Sequence, residues 1–197
     1  MVISRRPDIL WIIAALCLMT PGTVGGEEHR SQQRTAPSPK AIEAMKLLES
    51  DDAYQRQLGF LRLEALRELS TVPTIKAYID SKNPETRAYS LRAVAAIEGA
   101  PAVPLLLQRL KTDRHPAVRR AALLGLEPFA KADLEILPPL LHALRDRDTE
   151  VRMTAVDVVS RIDDPRAREA IRMRNKRERR RDVRRVLSLA MKRLEGG

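Results

Sequence analysis

The chain has 197 residues, 44% apolar and 31% charged, with a formal net charge of +10. It is long enough to bury a real core in one domain, but aromatic residues are only 3%, so Leu, Val, Ile and Ala must do the packing. The single cysteine, Cys17, excludes a disulfide framework, and His29, His115 and His142 do not stand at metal-ligand spacing on one helix.

In chain order, residues 1–26 carry the three parts of a secretory signal: Arg5 and Arg6, the apolar run Ile9 to Met19, and the small-residue stretch Pro21 to Gly26. The run is well short of the roughly 20 residues needed to span a bilayer. Cleavage after Gly26 and export to the periplasm or the extracellular space are therefore expected, with an uncleaved N-terminal anchor as the alternative. Pro7-Asp8 weakens any likeness to a twin-arginine signal, and Leu16 before Cys17 argues against a lipoprotein. Residues 27–40, with Gln32, Gln33, Pro37 and Pro39, have almost nothing to bury and read as a disordered polar linker.

From residue 41 to 195 one phrase recurs: Asn83-Pro84-Glu85-Thr86-Arg87, His115-Pro116-Ala117-Val118-Arg119, Asp148-Thr149-Glu150-Val151-Arg152 and Arg181-Asp182-Val183-Arg184. The arginines lie 32, 33 and 32 residues apart, and a fainter copy stands at Arg56. Periods of this length define a solenoid. Each arginine opens a helical apolar face, such as Leu91, Val94 and Ile97 or Val156, Val159 and Ile162. A second helix follows each one, reading Val72, Ile75, Ile79; Val103, Leu106, Leu110; Leu137, Leu140, Leu144; and Ala167, Ala170, Ile171, with Pro73, Pro104, Pro138 and Pro165 in the first turns. The expected fold is all-α, a right-handed α-solenoid of about five helix pairs that ends in a basic repeat over residues 166–195.

At these residues the chain resembles the HEAT-repeat family, in the short form found in phycobilisome lyases; Ala102-Val103-Pro104-Leu105-Leu106-Leu107 through Asp113 to Ala122 carries the likeness most fully. The resemblance implies a structural ladder in which Arg87, Arg119, Arg152 and Arg184 pair with Asp80, Asp113, Asp146 and Asp148 in the turns. It also implies that the second helices line a concave face, with Tyr78, Leu105, Gln108, Arg109, His142 and Arg172 as the candidate binding row.

Chemistry is sparse. There is no glycine-rich phosphate loop, nucleophile elbow or helical HExxH motif. No catalytic, metal or cofactor-binding residue is assigned, and no cofactor is expected. Between Arg166 and Arg185, however, eleven basic residues face three acidic ones. Arg172, Arg174, Lys176, Arg177, Arg179, Arg180, Arg181 and Arg185 form a candidate anion-binding cluster. The expected function is a non-catalytic interaction module or scaffold of the cell envelope, with another protein, acidic among the options, as partner. The alternative is a binder of anionic surfaces through the cluster: lipid headgroups, lipopolysaccharide, acidic glycans, or nucleic acid if the chain is not exported. A catalytic, chromophore-lyase-like reading ranks below both. N-terminal sequencing of the mature protein is expected to start at or near Glu27; recovery of intact Met1 from the cytoplasm overturns the signal reading.

Overall fold

The computed structural model describes residues 36–130 and 135–195, and every regular element among them is helical. The expected signal and most of the linker lie outside the described residues, as do Cys17 and His29. Ten α-helices follow one another: α1 Pro39–Leu48, α2 Ala53–Leu66, α3 Val72–Lys76, α4 Pro84–Glu98, α5 Val103–Thr112, α6 Pro116–Leu126, α7 Leu137–Ala143, α8 Thr149–Val159, α9 Pro165–Arg177 and α10 Arg181–Glu195. Among the described residues no helix is long and apolar enough to cross a membrane.

The starts of these helices are written into the turns. Ser38, Asp52, Asn83, Asp148 and Asp164 each accept a backbone N–H of the first helical turn, and His115 does the same through Nδ1, 3.3 Å from the Ala117 nitrogen. Such caps satisfy donors that a helix leaves unpaired at its N-terminus. Pro84 and Pro116 occupy first helical positions, where a missing N–H costs nothing. At the other end of α4, Gly99 takes φ 67° and ψ −130°, a conformation open at little cost only to glycine.

Each odd-numbered helix turns tightly into the even-numbered helix after it and packs on it, giving five hairpins, α1–α2 to α9–α10. The close pair is thus the second helix of one sequence repeat with the arginine-bearing helix of the next. The reason is the short capped turn between them; the reverse connections run through 3-10 segments such as Leu69–Thr71 and Ala100–Ala102. The even helices form one continuous layer, α2 on α4 on α6 on α8 on α10, while the odd helices of neighbouring hairpins touch far less.

Aliphatic side chains fill the space between the layers. Leu63, Ile75, Leu91, Leu106, Leu123, Leu137, Leu140 and Val156 are all buried. The third residue after the repeated arginine faces the neighbouring helix and is small in the first four hairpins: Gly59, Ser90, Ala122 and Ala155. In α10 the next position changes character. Ser188 is exposed where Leu91, Leu123 and Val156 are buried, so the far face of the last hairpin is polar, as a capping repeat requires.

The crossing of α1 over α2 is close. A Cβ on Gly59 would lie 2.9 Å from the Ala44 carbonyl oxygen and 2.7 Å from Leu48 Cδ2. Backbone on the facing helix has no room to yield. Gly59→Ala should therefore lower stability by about 1 to 3 kcal/mol through overpacking, measured as a drop in urea midpoint. A midpoint at or above wild type, as an ordinary Gly→Ala exchange in a helix gives, would show that α1 does not sit this close.

Candidate functional site

The repeated arginines bind two hairpins at once. Arg119 Nη1 donates to the carbonyls of Asp113 and Arg114, both at 3.0 Å, which closes the turn that precedes its own helix. Its Nε and Nη2 donate to Asp146 at 2.8 and 2.7 Å, a forked contact to the turn of the next hairpin. Arg87 repeats this with the carbonyls of Ser81 and Lys82 and with Asp113, and Arg152 with the carbonyls of Asp146 and Arg147 and with Glu178. Guanidinium alone among side chains offers enough donors in a fixed fork for this. Each carboxylate in turn accepts N–H groups of its own turn: His115 on Asp113, Asp148 on Asp146, and Arg179 and Arg180 on Glu178.

The ladder thus runs one step further along the chain than the resemblance implied. Arg87 pairs with Asp113, not Asp80; Arg119 with Asp146, not Asp113; and Arg152 with Glu178, not Asp146. Asp80 binds Arg109 at 2.6 Å but stands 83% exposed, and Asp148 caps α8. Arg184 is exposed on the terminal helix and forms no rung among the described residues.

Electrostatics follow from this geometry. Burial pushes the Asp113 carboxyl up, but the hydrogen bonds from Arg87 and the His115 N–H, with the charges of Arg87 and Arg109, outweigh it and hold the group below the usual carboxylate range. Asp146 is lowered in the same way, burial opposing and Arg119 prevailing. Glu178 is the extreme: burial is overcome by the Arg180 N–H, Arg174 and Arg152, bringing it from 4.5 down to about 2.

The candidate binding row lies on the odd helices and the turns beside them. Its members do not form one surface. Tyr78 is half-buried with its ring edge-on to Phe60 at 5.6 Å, Arg109 is held by Asp80, and Arg172 by Glu169. Gln108 and His142 do come together, in a groove of about 800 Å³ between α5 and α7. Its floor is apolar, from Leu107, Leu110, Pro139 and Ala143, and its rim carries Lys111, Arg114, Arg145 and Arg147. Asp113 and Asp146 also border it, but Arg87 and Arg119 neutralise them, so the rim is cationic.

Two of these cations, Arg114 and Arg147, sit at a position that the repeat itself marks. Lys82, Arg114, Arg147 and Arg179 all stand five residues before a repeated arginine, and all are exposed. The position must offer its carbonyl to the ladder in the first three cases, which leaves the side chain pointing to solvent.

The C-terminal cluster is split by the structure. Arg174 is turned inward onto Glu178, Arg172 is paired with Glu169 and Arg180 with Asp182. Lys176, Arg177, Arg179, Arg181 and Arg185 are exposed and make no ion pair among the described residues. Those residues hold no cluster of His, Cys, Asp or Glu suited to a metal ion.

Stacked helical hairpins clamped by a buried arginine ladder define an α-solenoid. The chain belongs to the HEAT-repeat family, whose model matches residues 41–127 and 103–192. It is 36% identical over 92 residues to the bilin biosynthesis protein RpcF of Synechococcus sp. strain WH8020, covering 43% of this chain and 44% of that protein. Over 95 residues it is 35% identical to phycocyanobilin lyase subunit beta of Nostoc sp. strain PCC 7120, covering 43% of this chain and 48% of the relative. The match thus spans about half the length of these curated relatives. Among solved structures, the complex of CpcE and CpcF of phycocyanin lyase from Nostoc sp. PCC7120 aligns with TM-score 0.61 and 26% identity, over 76% of this chain and 96% of the matched one. These likenesses overturn the expectation of a non-catalytic scaffold in the cell envelope: the relatives in sequence are named as a bilin biosynthesis protein and a lyase subunit, and the structural neighbour is a phycocyanin lyase complex. A protein partner is in keeping with the two-protein complex.

The ladder sets a pH dependence whose sign is fixed by its lowered carboxyls. Groups depressed on folding add stability that is full above their unfolded values near 4 and is lost as pH falls through the folded ones. For Glu178 the window runs from 4.5 down to about 2. Glu178→Gln should cost about 1 to 3 kcal/mol at pH 7, because two inward arginines lose their carboxylate, and should flatten the decline in stability through that window. Parallel urea titrations from pH 7 to 2 check it; matching curves for wild type and variant would remove Glu178 from the ladder.

Proposed function

We propose that this chain is a HEAT-repeat subunit of a bilin-lyase-type enzyme and holds an open-chain tetrapyrrole in the α5/α7 groove. The observation that carries this is the groove itself, an apolar floor ringed by cations whose neighbouring acids are already neutralised. A bilin presents the matching chemistry, a largely apolar conjugated chain with two propionate carboxylates. A volume of about 800 Å³ is within the range of small-molecule sites.

In this reading Lys111, Arg114, Arg145 and Arg147 take the propionates, arginine by its fork and lysine as a point charge. Leu107, Leu110 and Pro139 shed water from the pyrrole faces, and His142, exposed at the rim, is placed to exchange a proton with the chromophore. The chain's only cysteine is Cys17. The thiol for a thioether bond is therefore supplied by an acceptor protein: its S–H adds across an exocyclic C=C, sulfur bonding one carbon and the proton ending on the other, with no oxidant required. The work of this subunit is to bind, orient and protect, alongside a protein partner.

The test is titration of the purified chain with phycocyanobilin, followed by its visible absorption. A saturable spectral change is expected. Lys111→Gln with Arg114→Gln, both exposed side chains, should weaken it about tenfold, equivalent to about 1.4 kcal/mol. No saturable binding, or equal affinity in the double variant, overturns the assignment.

A further inference from the structure

A second groove, of about 610 Å³, lies between α7 and α9 and differs in kind from the first. Its lining is almost entirely apolar, with Leu141, Leu144 and Met173 at its base, and its rim carries arginines, Arg145 and Arg177 among them. The single acid on the rim, Glu169, is occupied by Arg172 at 3.1 Å. Arg177 lines this groove, and Arg179, Arg181 and Arg185, which follow it in the chain, are likewise exposed and without an ion pair among the described residues.

Acidic side chains that might balance this surface are already spent. Glu178 faces inward to Arg152 and Arg174, and Asp182 is paired with Arg180. What remains is an apolar cleft leading onto an uncompensated arginine surface, and the occupant must match both halves.

We propose that the α7/α9 groove docks an acidic amphipathic helix of a protein partner. Its apolar stripe seats over Leu141, Leu144 and Met173, and its flanking carboxylates meet Arg177, Arg179 and Arg181. Helix-in-groove recognition uses such a stripe at i, i+3, i+4 and i+7. Methionine in the floor suits it, because the unbranched thioether adapts to different side chains. Forked guanidinium–carboxylate contacts supply orientation as well as attraction. A bilayer is flat and cannot enter a cleft, and no aromatic ring lines the groove to stack a nucleobase.

The experiment uses the full chain and a labelled synthetic helix of about 20 residues, long enough to be helical in water, with leucines at i, i+3, i+4 and i+7 and glutamates flanking them. Fluorescence anisotropy should show saturable binding that weakens as salt is added. Arg177→Gln with Arg181→Gln should weaken it about tenfold, and Met173→Glu should weaken it independently, while thermal unfolding and bilin titration of both variants stay as in wild type. Equal binding of a peptide with lysine for glutamate overturns the proposal. So does unchanged affinity in both variants, or tighter binding to single-stranded DNA or to phosphatidylglycerol vesicles than to the acidic helix.

Discussion

One guanidinium held between two turns is the contact on which the array depends. A stack of hairpins made of Leu, Val, Ile and Ala is driven together by apolar burial, but that force has no preferred register. The Arg87, Arg119 and Arg152 rungs provide one. Each takes two carbonyls of its own turn and a carboxylate of the next hairpin, so the turns are closed and the hairpins aligned by the same side chain. The carboxylates accept turn N–H groups as well, leaving few polar atoms of the joint to be satisfied by water.

The functional surface follows from an imbalance between the two layers. The even helices pack on one another in a continuous layer, while α3 and α7 are short, at 5 and 7 residues, and leave the odd layer open. Gaps between α5 and α7 and between α7 and α9 become grooves with aliphatic floors. Turn residues whose carbonyls serve the ladder project their side chains outward, and in this chain those side chains are largely basic. The turns that close the ladder thus supply part of the cationic rim, Arg114 and Arg147, beside Lys111 and Arg145.

The fold was legible because a helical period of 3.6 and a repeat of about 32 residues are both properties of the chain read locally, as are the caps at Asn83, His115 and Asp148. The ladder's partners were not. An arginine has an aspartate of its own turn about six residues before it and another about 26 residues after it, and spacing does not tell which one the guanidinium fork reaches. Glu178 was further hidden by replacing aspartate at that position within a run of arginines. The grooves escaped notice for a different reason. They lie between hairpins, so their walls come from residues about 30 apart that carry no motif in common, and only packing reveals that Gln108 and His142 face one space while Tyr78 and Arg109 are engaged elsewhere. The tie to bilin-lyase relatives had its only trace in the likeness to their repeats, because the chain carries no motif of acids, bases or nucleophiles that would have pointed there.

The position six residues before each repeated arginine reads Ser50, Ser81, Asp113, Asp146 and Glu178 along the chain. A carboxylate there locks a hairpin to the one before it, so the joints into the third, fourth and fifth hairpins are ionic, while the joint between the first and second has Ser81 instead. Arg56 closes its own turn on the Ser50 and Asp51 carbonyls at 2.7 Å but meets no carboxylate in the next. The buried rungs therefore stand toward the C-terminal part of the array, and the first two hairpins are tied instead by apolar packing and the partly exposed Arg92–Glu64 pair at 3.3 Å. Both grooves lie between hairpins that a buried rung locks together, Arg119 on Asp146 beside the first and Arg152 on Glu178 beside the second, a placement that the order of five turn residues is enough to set.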